Sequence, residues 1–168
     1  MKKEFRKSLR LKNYDYSQDG YYFVTITTHN RLPILCSGGC KPAIEECIKH
    51  LPQFIKGLEL DYFVVMDNHI HVIFIFENCA RSLGQIVKAL KYNITKIVAG
   101  GLPTAKNVAT RLPSRESSHG NATATGKGIW QWNYYEHVIR NEKALMKIRE
   151  YIQNNPEKEI LKFEEFYE

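Results

Sequence analysis

Two histidines and a tyrosine are the residues most capable of chemistry. His69 and His71 are separated by one residue in an extended apolar segment, and the two-residue period of a strand turns both imidazoles to one side, where they can share a cation. By itself the pair reads more readily as a partly buried structural couple. Tyr151 and Asn155 stand four apart in a helical segment, on one face beside the stripe Leu145, Ile148 and Ile152. That pair alone also fits a tyrosine at the core edge and an asparagine ending a helix before Pro156. Taken together, two neutral imidazoles and an amide oxygen suit Mg²⁺ or Mn²⁺, with positions left for water and substrate. Such a cation polarises a phosphoryl oxygen while a tyrosine hydroxyl attacks phosphorus. A phenol of pKa about 10 is protonated at neutral pH, so a base or solvent must take its proton, and no residue declares itself as that base.

The elements that must position these groups follow from periodicity. Tyr21 to Thr28, after Asp19-Gly20, is β-branched and aromatic and predicts a strand. Pro42 with Glu45 and Glu46 begins a helix whose buried face is Ile44, Ile48, Leu51 and Ile55, with Gly57 as its stop. Leu58 to Met66 places Leu58, Leu60, Tyr62, Val64 and Met66 on one side; Asp67-Asn68 turns the chain, and His69 to Phe76 returns as a hairpin. In that second strand Ile73 and Ile75 share a face with the histidines, while Ile70, Val72, Phe74 and Phe76 share the other. Both faces must therefore be covered.

Ser82 and Gln85 form a capping-box pattern ahead of a helix striped by Leu83, Ile86, Val87, Leu90, Ile94, Ile97 and Val98, ending at Gly100-Gly101. Its other side carries Lys88, Lys91, Tyr92 and Thr95 in helical register, a solvated face or a phosphate-facing one. Gly100 to Lys127 lacks periodicity and reads as a long mobile loop. Ile129 to Arg140 predicts an aromatic strand, and Asn141 caps a helix running to about Asn155, with a further short helix in 157–168. The order is that of an α+β, ferredoxin-like β-α-β-β-α-β sheet with an added C-terminal helix carrying the tyrosine. One domain spanning 1–168 accommodates it.

The chain has 168 residues with a formal net charge of +6, which favours polyanionic partners without proving them. Its four cysteines form no CxxC pair, which points to free thiols in a reducing compartment over a zinc cluster. No apolar run is long enough to span a bilayer, and the basic N-terminus is followed by no apolar stretch, so the expectation is a cytoplasmic protein with no membrane partner. Phosphate contacts are expected from Arg10 in the basic segment 1–10, from Lys88 and Lys91, and from Arg140. Trp130, Tyr134 and Tyr135 either stack unpaired bases or cover the sheet. His137 reads as a structural residue, with ligand or proton acceptor as alternatives.

Four blocks, SLRLKNYDYSQDGYYFVTITTHNR, VVMDNHIHVIFIF, SLGQIVKALKYNITK and IWQWNYYEHVIRNEKALMKIREYIQNNP, span nearly the whole chain in order. In these blocks the chain resembles the single-tyrosine HUH transposases, especially the REP-associated tyrosine transposases related to those of the smallest insertion sequences. The resemblance implies that His69 and His71 hold the metal, that Tyr151 is the nucleophile and that Asn155 is the third protein ligand. It implies cleavage of single-stranded DNA beside a hairpin through a 5′-phosphotyrosine intermediate, with a divalent cation and no nucleotide cofactor. It admits both a homodimer that exchanges the tyrosine helix and a monomer. Asp67, Trp132 and Glu159 depart from the family pattern, where proline, a basic residue and tryptophan are usual. A replication initiator or relaxase would use the same chemistry on a larger chain, and a non-catalytic nucleic-acid-binding module is the alternative from another class.

Overall fold

The alternation in the two most apolar strands decides where everything else packs. The computed structural model describes residues 11, 13–100 and 128–154. Its strands are β1 (Gly20–Thr27), β2 (Leu58–Val65), β3 (His69–Phe76) and β4 (Tyr135–Ile139); its helices are α1 (Cys40–Phe54), α2 (Leu83–Val98) and α3 (Glu142–Asn154). The sheet order is β2-β3-β1-β4 with every neighbouring pair antiparallel, which is the expected ferredoxin-like arrangement with a helix added after the fourth strand.

One face of the central strands presents Tyr22, Val24, Ile26, Ile70, Val72, Phe74 and Phe76, and α1 and α2 close over it with Ile44, Ile48, Leu51, Leu83, Ile86, Leu90 and Ile94. The other presents Phe23 and Ile73, covered by Ala144, Leu145, Ile148 and Ile152 of α3. Both faces are thus buried. At 13 residues α3 is near the length at which an isolated helix is marginal in water. Burial of Leu145, Ile148 and Ile152 contributes roughly 2 kcal/mol each, so the sheet holds this helix in place.

The helix starts follow their sequence signals. Gln85 Oε1 accepts the Ser82 backbone N–H at 3.1 Å in the capping box of α2. Asn141 Oδ1 accepts the Ala144 N–H at 2.8 Å at the start of α3, where Glu142 adds a favourable negative charge.

Two expectations require correction. A bulge between Leu60 and Tyr62 breaks the alternation of β2, so Leu58, Leu60, Phe63 and Val65 face α1 and α2 while Val64 joins the α3 side. Tyr62 is consequently exposed. The last strand is shorter than the segment 129–140: before β4 the chain makes the isolated Thr28–Trp130 bridge, with the His29 N–H bonded to Ile129 O at 2.8 Å and the Gln131 N–H to Thr27 O at 2.9 Å. The carbonyls of Gln131 and Asn133 turn instead to the ammonium of Lys91. The segment 1–10, the loop 101–127, Asn155 and the short helix expected within 157–168 lie outside the described residues.

Gly57 makes the turn between α1 and β2 at φ +76°, and a Cβ there would overlap the backbone oxygens of Glu77 and Asn78. The Glu77 N–H donates to Gly57 O at 2.9 Å, tying this turn to the end of β3. Gly57→Ala should therefore lose about 2 kcal/mol or more in urea unfolding. A loss below 0.5 kcal/mol would show that the turn can yield.

Candidate functional site

The site is built on the α3 face of the sheet, from the β1–β3 register outward. Thr27 pairs with His69 and Thr25 with His71, so the two histidines stand side by side with two threonines on the neighbouring strand. Before them the turn 66–68 is held from several directions. Asn68 O accepts the Thr28 N–H at 2.9 Å, Asp67 O accepts the Leu35 N–H at 2.9 Å, and Met66 N–H donates to His69 O at 2.9 Å. The fully buried Thr28 hydroxyl also lies 3.0 Å from Asn68 O. A turn fixed in this way gives His69 a fixed origin.

Each imidazole has its Nδ1 engaged. Asn68 Oδ1 lies 2.6 Å from His69 Nδ1, and Thr25 Oγ1 lies 2.8 Å from His71 Nδ1. With hydrogens on both Nδ1 atoms, each ring keeps a lone pair at Nε2, the arrangement a metal-binding histidine requires. His71 Nε2 is buried and has no hydrogen-bond partner among the described residues. Burial, and secondarily His69, push the His71 pKa down to about 3, so the ring is neutral at ordinary pH. The two rings lie 4.7 Å apart at 72°, and Phe23 stacks on His71 at 5.4 Å. This donor pair fits two nitrogen ligands of one divalent cation. Among the described residues no group of three or more His, Cys, Asp and Glu joins them, and Asn155, expected as a further ligand, lies beyond those residues.

Tyr151 comes to the same place on α3. Its ring is 5.8 Å from that of His71 at 70°, although the two residues lie far apart in the chain. The side chain is half-buried at the edge of the apolar layer, and desolvation raises its pKa above the usual phenol value. More than two helical turns beyond the Asn141 cap, Arg149 anchors α3 across the sheet: Nε donates to Asp61 Oδ2 at 2.8 Å and Nη2 to Oδ1. Asp61 sits at the β2 bulge, so the irregularity in that strand supplies the acceptor for the tyrosine helix.

Other expected site residues divide. Lys88 and Arg140 are exposed, but neither adjoins the histidines. Lys88 belongs to α2 on the opposite face, and Arg140 follows β4 at the end away from Tyr135, roughly 17 Å along the strand direction. His137 lies opposite Phe23 on the α3 face, and burial followed by Arg140 lowers its pKa to about 4. Arg10 lies outside the described residues.

Lys91 and Trp130 are both taken up by contacts within the protein. Lys91 is buried, with Nζ donating to Gln131 O at 2.9 Å and Asn133 O at 3.1 Å. Trp130 is equally buried, and its indole N–H lies 3.0 Å from both Lys91 O and Thr95 Oγ1. The loop before β4 folds over this helix face and takes up both side chains. Thr25, Asn68, Asp61 and Arg149 were not singled out from the sequence. Asn68 adjoins His69 and Thr25 alternates with the core residues of β1, but nothing local pairs Asp61 with Arg149.

No family model matches the chain. A Haemophilus influenzae protein, described only as uncharacterized, is 32% identical over 160 residues, covering 90% of this chain and 88% of that one. A REP-associated tyrosine transposase bound to a REP hairpin superposes with a TM-score of 0.55 at 21% identity, covering 89% of this chain and 73% of that one. A Deinococcus radiodurans protein assigned as a transposase gives 0.50 at 19% identity, covering 86% and 97%. These two likenesses establish a common fold, the one that the sequence blocks imply. Among the described residues no helix is long and apolar enough to cross a membrane.

Lys91 offers a test of its buried placement. Desolvation lowers its pKa to about 8, so between pH 8 and 10.5 the unfolded chain holds a proton that the folded chain has released. Stability contributed by this residue therefore rises with pH across that window. In urea unfolding, wild type should gain on Lys91→Met as pH increases from 8 to 10. A constant difference would mean that the ammonium is solvated.

Proposed function

Because the chain belongs to one family with the Haemophilus influenzae protein and has the fold of the REP-associated tyrosine transposase, we propose that it cleaves and rejoins single-stranded DNA beside hairpins, with Tyr151 as nucleophile. The observation that carries this reading is the approach of Tyr151 to His71, whose buried Nε2 has no hydrogen-bond partner among the described residues. A nucleophile beside a metal-competent imidazole pair is what phosphoryl transfer asks of a site.

His69 and His71 would hold Mg²⁺ or Mn²⁺, with Asn155 as the further ligand on the tyrosine helix. The bound cation would supply Lewis-acid polarisation of a phosphoryl oxygen. Thr25 and Asn68 act behind the histidines, fixing ring orientation and tautomer through Nδ1. Phe23 and Ile73 provide the apolar floor that keeps His71 neutral. The Asp61–Arg149 pair and the packing of Leu145, Ile148 and Ile152 hold Tyr151 over that floor, which limits the orientations its hydroxyl can sample.

In the reaction Tyr151 Oη bonds to phosphorus as the P–O3′ bond breaks. One strand stays joined through a 5′-phosphotyrosine, and the other leaves as a 3′-hydroxyl after gaining a proton. The phenol proton passes to solvent or a base. The reverse attack by a 3′-hydroxyl restores a phosphodiester and frees the tyrosine, so the bond energy is conserved and no nucleotide cofactor is used. The exposed cations Lys88 and Arg140 would contact phosphates of the DNA away from the reacting group. A second copy of the chain is compatible with this scheme, but α3 already packs on its own sheet.

The test is denaturing-gel detection of a covalent complex with labelled single-stranded hairpin DNA from the gene's own flanks. An adduct should form with Mg²⁺ or Mn²⁺, vanish with chelator and vanish in Tyr151→Phe. Tight binding of the same DNA without any adduct would replace the enzyme by a binding module of this fold. Calorimetric titration addresses the metal directly: Thr25→Val should weaken Mn²⁺ binding roughly ten-fold, and His69→Ala with His71→Ala should remove it. Unchanged affinity in the double variant would exclude the pair as ligands.

A further inference from the structure

Trp132 is 92% exposed, although tryptophan offers one of the largest apolar surfaces of any side chain. It is not on a loose tip. The carbonyls of the residues on either side, Gln131 and Asn133, are both held by the Lys91 ammonium, and the Gln131 N–H is bonded to Thr27 O. Trp130, two residues earlier, is locked beneath by its indole N–H. The fold therefore immobilises the backbone around Trp132 while leaving the indole in water.

We propose that Trp132 is a stacking platform for an unpaired nucleobase of the DNA strand. Thr27 pairs with His69 on one side and bonds Gln131 on the other, so the strapped loop stands two strand spacings, about 10 Å, from the histidine strand. A DNA strand leaving the histidine face over this edge of the sheet would pass the loop. The rim suits nucleic acid better than an apolar protein surface: the neighbouring Gln131 and Asn133 are exposed, and exposed Lys88 lies one helical turn before the strapping Lys91. A rigid backbone and only two side-chain torsions make the ordering cost on stacking small. This proposal rests on the DNA-processing reading above but assigns a base contact that the metal and tyrosine do not supply.

The experiment titrates full-length protein with a hairpin oligonucleotide carrying a single-stranded flank, following intrinsic fluorescence and affinity. The chain has two tryptophans, and with Trp130 buried the signal from Trp132 is obtained by difference with Trp132→Phe. Binding should quench Trp132, and Trp132→Ala should weaken binding about ten-fold, with Trp132→Phe retaining most of the affinity. A single abasic nucleotide at one flank position should erase the difference between wild type and Trp132→Ala. Equal affinities, or no binding by wild type, would overturn the proposal. So would self-association abolished by Trp132→Ala without any DNA effect, which would assign the indole to a protein contact. Adduct formation is scored in the same samples: stacking without adduct supports the platform while refuting the strand-transfer reading, whereas adduct with equal affinities refutes the platform alone.

Discussion

Were β3 to slip by one residue against β1, His69 and His71 would turn into the apolar layer under α1 and α2, and Ile70 and Val72 would face α3. The register is consequently the constraint from which the site descends. It is enforced on both sides, because Val24, Ile26, Val72 and Phe74 are buried in one layer and Phe23 and Ile73 in the other. The same pairing sets Thr25 beside His71, so the force that aligns the core also aligns a hydrogen-bond partner for the imidazole. Polar function here is a by-product of an apolar alignment.

The second layer turns that alignment into a site. Helix α3 would add little by itself, but once packed on Phe23, Ile73 and Ile139 it brings Tyr151 to His71. Its placement has two different kinds of restraint. Apolar packing sets how closely the helix approaches, and the two-point Arg149–Asp61 contact sets its rotation and sliding along the sheet. Arg149 is about one-third exposed, so its ion pair contributes chiefly direction and only modest stability.

Sequence periodicity revealed most of the fold because β1 and β3 alternate without interruption and the Ser82 and Asn141 caps satisfy neighbouring backbone donors. It failed at β2, where a bulge shifts the face of every following residue, a displacement no local pattern announces. The histidine pair and Tyr151 were legible by spacing and resemblance, whereas the Asp61–Arg149 contact joins distant segments. The burial of Lys91 is illegible in the sequence for a related reason. A helical stripe records which side chains share a face, but cannot say that a loop will fold over that face and bury a lysine on two carbonyls. Trp130 and Trp132 show the same limit, since their two-residue spacing leads to opposite environments only after that loop is in place.

The division of labour in the loop has an evolutionary consequence. Residues that hold its backbone, Lys91 and Trp130, are embedded in other contacts and resist exchange. Trp132 carries almost no share of the packing, and substitutions at so exposed a position ordinarily change stability by no more than about 0.5 kcal/mol. The scaffold can therefore remain fixed while the outward side chain drifts among aromatic, basic and polar types. Diversification at this surface is nearly uncoupled from the requirement to fold, so related chains can alter what they meet there without first acquiring compensating mutations in the core.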